Sequence, residues 1–243
     1  PPYPHFGSGH HIKIHDYLVG DTIGKGGFGD IRIAFHLHSH NPFAVKLIPK
    51  SRLLKCKNGR KIFFNETVLA PLVSHSSIIN VIEVADSPSQ IFQFMRLAEN
   101  GNLLQKLRKM QFESKVSIKM VDQLLSAVEY LHAHGIVHRD IKLENLLLTK
   151  RYDIKLCDFG LASFTFDGQV TGNYGSFEYS SPESIKNPSF DGFKADMWSV
   201  GVVIYSIFTR KLPFQLPKNA PTEGLSPSAL CDFIDYSKAI DLA

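Results

Sequence analysis

Apolar residues change their repeat part-way along the chain, and that change limits the fold more than any single motif does. From Tyr17 to about Val84 the pattern is strand-like: Ile23, Phe28, Ile31, Ile33 and Phe35 alternate, and Phe43-Ala44-Val45-Lys46-Leu47-Ile48 forms a compact run. One interruption, Arg60 to Val73, carries Ile62, Phe63, Glu66, Leu69 and Val73 at helical spacing, with Pro71 late in that helix or ending it. Strands resume at Ile78 to Val84 and Ile91 to Leu97, across the turn-like Asp86-Ser87-Pro88-Ser89. Beyond Ala98 the repeat lengthens: Val121, Leu124, Leu125, Val128 and Leu131 recur at three and four residues and stop at Gly135, the mark of a capped amphipathic helix. Asp196 to Phe208 is apolar on nearly every side yet too short to span a bilayer, which predicts a buried central helix. Asn100 and Gly101 break the preceding strand, so the boundary between the strand-rich and the helical part falls between Arg96 and Gly101.

Composition narrows the class further. With 243 residues, 44% apolar and 21% charged, the chain has enough apolar side chains for one large domain or two lobes, which excludes disorder and fibres. The net charge is +4, and the densest basic stretch (Lys46, Lys50, Arg52, Lys55, Lys57, Arg60, Lys61) is interrupted by Leu47, Ile48, Leu53 and Leu54. It reads as the solvated face of a helix rather than a nucleic-acid patch. Cys56, Cys157 and Cys231 are too few and too scattered for a disulfide framework or a zinc site, which points to a reducing compartment, cytosol or nucleus. No run reaches the roughly 18 consecutive apolar residues of a membrane span, and Pro1 to His15 lacks the apolar core of a signal peptide. The alternating His36, His38 and His40 flank Ser39 and Asn41-Pro42 and read as a polar turn between strands rather than a metal site.

Chemistry concentrates in a few strings. Gly24-Lys25-Gly26-Gly27-Phe28-Gly29-Asp30-Ile31 joins two strand patterns, and its glycines would let backbone amides close over nucleotide phosphates. A dinucleotide fold would follow such glycines with a helix, and the lysine-serine or lysine-threonine pair of a P-loop is missing; alone, the string is compatible with an ordinary hairpin. Lys46 ends Ala44-Val45-Lys46, and Glu66 lies 20 residues on, mid-helix, where an ion bridge would point the ammonium at the α- and β-phosphates. Two further strings follow: His138-Arg139-Asp140-Ile141-Lys142-Leu143-Glu144-Asn145 and, 13 residues after Asn145, Asp158-Phe159-Gly160. They supply the groups phosphoryl transfer requires. Asp140 is placed to accept a hydroxyl proton, Lys142 to steady the phosphoryl group, and Asn145 and Asp158 to hold Mg²⁺ through hard oxygens. His138 and Phe159 read as packing residues.

In that order and spacing these strings resemble the eukaryotic protein kinase family from about Tyr17 to at least Phe214. The resemblance implies an α+β bilobal fold: an extension over 1–16, a small antiparallel β-sheet lobe with one main helix over 17–98, and a mainly helical lobe over 99–243. Tyr17 to Gly24 and Gly175-Ser176-Phe177-Glu178-Tyr179-Ser180-Ser181-Pro182-Glu183 are most similar to the calcium/calmodulin-dependent kinase group, in the branch of AMP-activated protein kinase. Lys142 and Ser176 are the serine/threonine-type choices. The activity implied is transfer of the ATP γ-phosphate to serine or threonine of protein substrates, with ATP and Mg²⁺ as cofactors and no nucleic-acid partner. Met95 falls at the gatekeeper position, Arg96, Leu97 and Ala98 at the hinge that meets adenine, and Ala44 and Leu147 on either side of the ring. Ile23, Gly24, Lys25, Gly26, Gly27, Phe28, Gly29 and Ile31 complete the nucleotide set.

The chain also departs from the family pattern. Where relatives carry a phosphorylatable threonine, three residues before Gly175, this chain has Gly172, with Thr171 one earlier; a phosphate placed on Thr171 by an upstream kinase would dock on Arg139 and order the segment. Asn102 replaces a glutamate that would bind a basic substrate residue, while Glu144 keeps another. Ala70 is smaller than the leucine usual one turn after Glu66, which predicts a looser helix. After Leu212-Pro213-Phe214 the family continues through several more helices, including an arginine that pairs with the equivalent of Glu183; here one helix, Ser228 to Ile240, is expected and no arginine follows Arg210, so the second lobe reads as incomplete. The rival readings are a pseudokinase scaffold that signals by binding, against which Lys46, Glu66, Asp140, Asn145 and Asp158 stand intact, and a small-molecule phosphotransferase, which the Ser-Pro-Glu segment disfavours.

Overall fold

The computed structural model describes residues 12–172, 175–214 and 234. They fall into two compact units, one holding the chain to Glu99 together with Cys157–Gly160, the other holding Asn100–Leu156 and the chain from Leu161 onward.

The first unit is an antiparallel sheet of β1 (Ile12–Ile14), β2 (Tyr17–Lys25), β3 (Asp30–His36), β4 (Pro42–Pro49), β5 (Val81–Asp86) and β6 (Gln90–Arg96), in the order β1-β2-β3-β4-β6-β5. The run Phe43 to Ile48 lies on β4, between β3 and β6, and is buried from end to end, as a strand covered on both faces must be. One cluster comprises Tyr17, Val19, Ala34, Phe43, Val45, Leu47, Ala85, Phe92 and Phe94, with the Tyr17 and Phe94 rings stacked at 4.0 Å. A second joins Ile48 and Ile91 to Leu53 of α1 (Lys50–Lys55) and Ile62 of α2 (Gly59–Phe64). Leu53 is therefore the inward residue of the helical part of the basic stretch, where Arg52, Lys55, Lys57, Arg60 and Lys61 stay exposed and Lys50 pairs with Asp86 at 2.7 Å; Lys46, Leu47 and Ile48 instead lie buried on β4, so the solvated face begins only at α1. The helix of α2 runs on through a π turn (Asn65–Leu69) into α3 (Ala70–Leu72), which ends just after Pro71. Its start and end follow the sequence pattern; its π turn does not, because 3.6-residue periodicity carries no mark of one inserted residue. His36 ends β3, and His38 and His40 lie on the turn to β4, where Ser39 N–H donates to His36 Nδ1 at 3.2 Å.

Between β2 and β3 the chain reverses at the glycines, Gly26 N–H donating to Gly29 O at 2.7 Å. A Cβ on Gly29 would lie 1.8 Å from the Leu47 carbonyl oxygen, a backbone atom that cannot swing aside. Gly29→Ala is accordingly expected to shift β3 from β4 and cost about 1–3 kcal/mol, read as a lowered thermal midpoint; an unchanged midpoint would contradict that packing.

The second unit is mainly helical: α4 (Leu103–Lys109), α5 (Ser114–Ala133), α6 (Pro182–Lys186) and α7 (Gly192–Thr209). Short strand pairs join β7 (Ile136–Val137) with β10 (Ser163–Phe164), β8 (Leu146–Leu148) with β9 (Ile154–Leu156), and β11 (Gln169–Thr171) with β12 (Ser189–Asp191). α5 packs on α7 and buries Met120, Leu124, Ala127, Val128 and Leu131. It stops where Gly135 takes φ +69°, and a Cβ there would meet Thr165 O at 2.6 Å. α7 buries Asp196, Val200, Val202, Val203 and Ile207 but leaves Met197 46% and Phe208 44% exposed, so it is apolar all round without being buried all round. Hydrophobicity measures what a helix face would gain from a neighbour, not whether one is there. The expected helix Ser228 to Ile240 lies outside the described residues. No helix of the described residues is long and apolar enough to cross a membrane.

Candidate active site

In the first unit, β4 carries Lys46 inward to the helix and to the Asp158-Phe159-Gly160 turn. Its Nζ lies 2.6 Å from Glu66 Oε1 and 2.9 Å from Asp158 Oδ1, with Lys46 and Glu66 both buried. Burial alone would lower the Lys46 pKa, but Asp158 and then Glu66 outweigh it and hold the ammonium above the usual lysine range. Burial pushes the Glu66 carboxyl up; Lys46 pulls it down and Asp158 adds to the rise. One ammonium thus serves two carboxylates, stays charged, and leaves Glu66 protonating sooner on acidification than an exposed glutamate would.

The glycine turn closes on the same group. Phe28 packs on the Ile48 cluster with Lys46 Nζ 5.8 Å from its ring centre, and a Cβ on Gly27 would stand 3.6 Å from Asp158 Oδ2. A Cβ on Gly160 would come within 2.5 Å of the Phe28 ring and 3.0 Å of Glu66 Oε1, so glycine at 160 is what lets helix, turn and phenylalanine converge. Gly24 pairs with Ile31 and Lys25 with Asp30 across β2 and β3, and Ile23 is exposed. Ala44 and Met95 face each other across β4 and β6, both buried. Arg96 closes β6 with its N–H on Asn80 O at 3.2 Å and its guanidinium over Phe43; Leu97 and Ala98 follow, half-buried.

The second unit holds the rest. Asp140 Oδ2 accepts from Lys142 Nζ at 2.8 Å and from Asn145 Nδ2 at 2.9 Å, and Asn145 Nδ2 also reaches Asp140 O at 2.8 Å. Asp140 Oδ1 is buried and has no hydrogen-bond partner. Lys142 Nζ further donates to Ser176 Oγ at 3.0 Å. Leu147, half-buried, lies mid-way along β8. Glu144 is exposed and accepts from Tyr179 OH at 3.4 Å. Glu183 sits half-buried in the first turn of α6, behind the capping side chain of Ser181. Asn102 caps α4, its side chain accepting from Gln105 N–H at 2.9 Å, a role a longer glutamate would fill poorly.

One group that motif reading passed over underlies this loop. Asp196, buried on α7, accepts from His138 N–H at 2.8 Å and Arg139 N–H at 2.9 Å, and lies 3.0 Å from His132 Nε2. Its sequence signal was a carboxylate at the head of a nearly continuous apolar run, where only a satisfied charge is tolerated. No group of three or more His, Cys, Asp or Glu side chains gathers among the described residues as a metal site would require. Asp158 in the first unit and Asn145 in the second each offer the hard oxygen type that Mg²⁺ takes, an ion that needs only one or two protein oxygens and completes its shell with water and phosphate.

Residues 17–230 match the family model of the protein kinase domain. The chain belongs to that family. Similar curated proteins include the serine/threonine-protein kinase SIK1 of Rattus norvegicus, 37% identical over 213 residues that cover 87% of this chain and 27% of that protein. CBL-interacting protein kinase 15 of Oryza sativa subsp. japonica is 35% identical over 211 residues, 85% of this chain and 48% of the relative. The carbon catabolite-derepressing protein kinase of Secale cereale is 34% identical over 213 residues, 86% and 42% of the two chains. The kinase domain here therefore spans about a quarter to a half of the curated relatives it matches. Within it the segment after Gly160 is tied down by main-chain bonds: β11 pairs with β12, and Gly172 N–H donates to Pro188 O at 3.2 Å. Arg139 donates to Ser163 Oγ and to Thr171 O, each at 2.9 Å, and also to Gly172 O. The guanidinium to which the sequence assigned a phosphate thus rests on two carbonyls, with Thr171 exposed beside it.

Proposed function

We propose that this kinase domain transfers the γ-phosphate of ATP to serine or threonine hydroxyls of protein substrates. The Asp140 carboxylate carries the reading: one oxygen is fixed by Lys142 and Asn145, and the other, buried and unpartnered, is left to take a hydrogen bond from an incoming hydroxyl. Asp140 orients that hydroxyl and receives its proton, and Lys142, already on Ser176, neutralises charge on the transferring group. Lys46, held charged by Glu66 and Asp158, meets the α- and β-phosphates under the glycine turn. Asp158 and Asn145 would hold Mg²⁺, which when bound neutralises phosphate charge. Exposed Glu144 supports a preference for arginine or lysine near the target. The names of the relatives, all serine/threonine or other protein kinases, support the same class.

The test is transfer of labelled γ-phosphate by the full-length protein to a serine/threonine peptide library, with phosphoamino-acid analysis. Labelled phosphoserine or phosphothreonine, enriched for neighbouring Arg or Lys, is expected. A protein that binds MgATP and labels nothing would be the scaffold; label on small metabolites alone would make it a small-molecule phosphotransferase.

A further inference from the structure

The π turn in the helix leaves one carbonyl without a helical donor, and it belongs to Glu66. In α geometry Glu66 O would accept from the N–H of residue 70, but Ala70 N–H is given to Asn65 O. In π geometry the donor would be residue 71, which is Pro71 and has no N–H. A buried carbonyl in that position needs a partner from elsewhere. Gln93 supplies it: its Nε2 donates to Glu66 O at 2.8 Å, and both residues are buried. Gln93 sits on β6 directly opposite Lys46 on β4, so the two side chains leave the same face of the sheet side by side. Lys46 takes the Glu66 carboxylate and Gln93 takes the Glu66 main chain. A second buried amide, Asn65 Nδ2, ties the same turn to Gly160 O at 3.1 Å, next to Asp158.

We infer that Gln93 is a positioning residue for the Lys46–Glu66 pair, a polar pin that holds the helix in register where Ala70 gives it little packing volume and Pro71 withholds a donor. The inference rests on the kinase reading for its consequence, nucleotide placement, but not for its structural content. The loosening that Ala70 predicts from sequence is countered at this point by a side chain that periodicity treats only as a polar residue in a strand.

Gln93→Met keeps length and removes the donor. In the full-length protein it is expected to raise the KM for MgATP about fivefold to tenfold, the size of one net hydrogen bond, with kcat changed less, and to speed amide hydrogen exchange across residues 65–70. Adding Pro71→Ala restores an N–H five residues after Glu66, so the double variant is expected to recover both KM and exchange protection. If Gln93→Met alone fails to fold and the double variant folds, the pin is supported. KM and exchange within about twofold of the parent would show that Gln93 acts by packing volume only, and losses that Pro71→Ala does not repair would show that the Glu66 carbonyl is not what it serves; either result overturns the inference. Should the parent protein bind nucleotide and transfer no phosphate, the kinase reading falls, while exchange and its rescue still decide the pin.

Discussion

Asp140→Asn is expected to lower kcat by at least about 10²-fold, the contribution of a positioned general base, while the KM for ATP moves by less than about twofold. The substitution is nearly isosteric. Its amide oxygen can take the place of Oδ2 and keep both donors, Lys142 Nζ and Asn145 Nδ2. Its NH₂ then occupies the place of Oδ1, which has no partner to lose. The loop stands and the proton acceptor is gone. Lys46, Glu66 and Asp158 belong to the other compact unit and are untouched, which is why nucleotide affinity should survive. Steady-state kinetics with, as reference substrate, an unphosphorylated library peptide that the parent protein labels separate the two parameters; a variant retaining more than a tenth of parental kcat would remove Asp140 from the role.

Asp196→Ala should act first on the fold and, through it, on the chemistry. Two main-chain donors, His138 N–H and Arg139 N–H, and the His132 ring would lose their acceptor in a buried setting. Each buried donor left unsatisfied costs about 1–3 kcal/mol, so a loss of about 3–5 kcal/mol is expected against the 5–15 kcal/mol that stabilises a typical domain. The effect should reach catalysis as well, because Asp140 follows directly on the two residues released. Arg139 holds φ +69°, a conformation that a side chain keeps only while its surroundings enforce it. Asp196→Asn keeps one acceptor but turns an NH₂ toward one of the N–H groups, and is expected to fall between the parent and the alanine variant. Denaturant midpoints measure both; an alanine variant as stable as the parent would mean the loop is held by something else.

The strand period to β6, the helix that brings Glu66 to Lys46, and the stop at Gly135 are readable because burial writes itself into sequence as period two or 3.6. The Lys46–Glu66 pairing was legible on other grounds, since each residue alone reads as surface charge: the glycine string upstream and the resemblance to the kinase strand lysine and helix glutamate joined them. The partners of Gln93, Asn65 and Asp196 were not legible, since each of these side chains acts on main-chain groups, and a carbonyl or N–H in need of a partner leaves no trace in residue identity; Asp196 showed only as a carboxylate at the head of an apolar run. Pro71 is the instructive case: in sequence it ends a helix, in the structure it also orphans the Glu66 carbonyl. Nor could period show that the face of α7 with Met197 and Phe208 lies open, since apolar content says nothing of whether a partner is present.

The basic run of α1 and the start of α2 sets how this chain behaves at a distance. Residues 50–61 hold six Lys and Arg and no Asp or Glu, so of 27 basic and 23 acidic residues the remainder holds 21 and 23, a balance of −2 against +6. The whole positive excess therefore sits on about a twentieth of the sequence, mostly on exposed side chains of the first unit. That run is a local positive patch on the first unit. Its long-range pull on small anions or an anionic resin is felt in dilute buffer, and it fades as ionic strength brings the screening length down to about 8 Å at physiological salt.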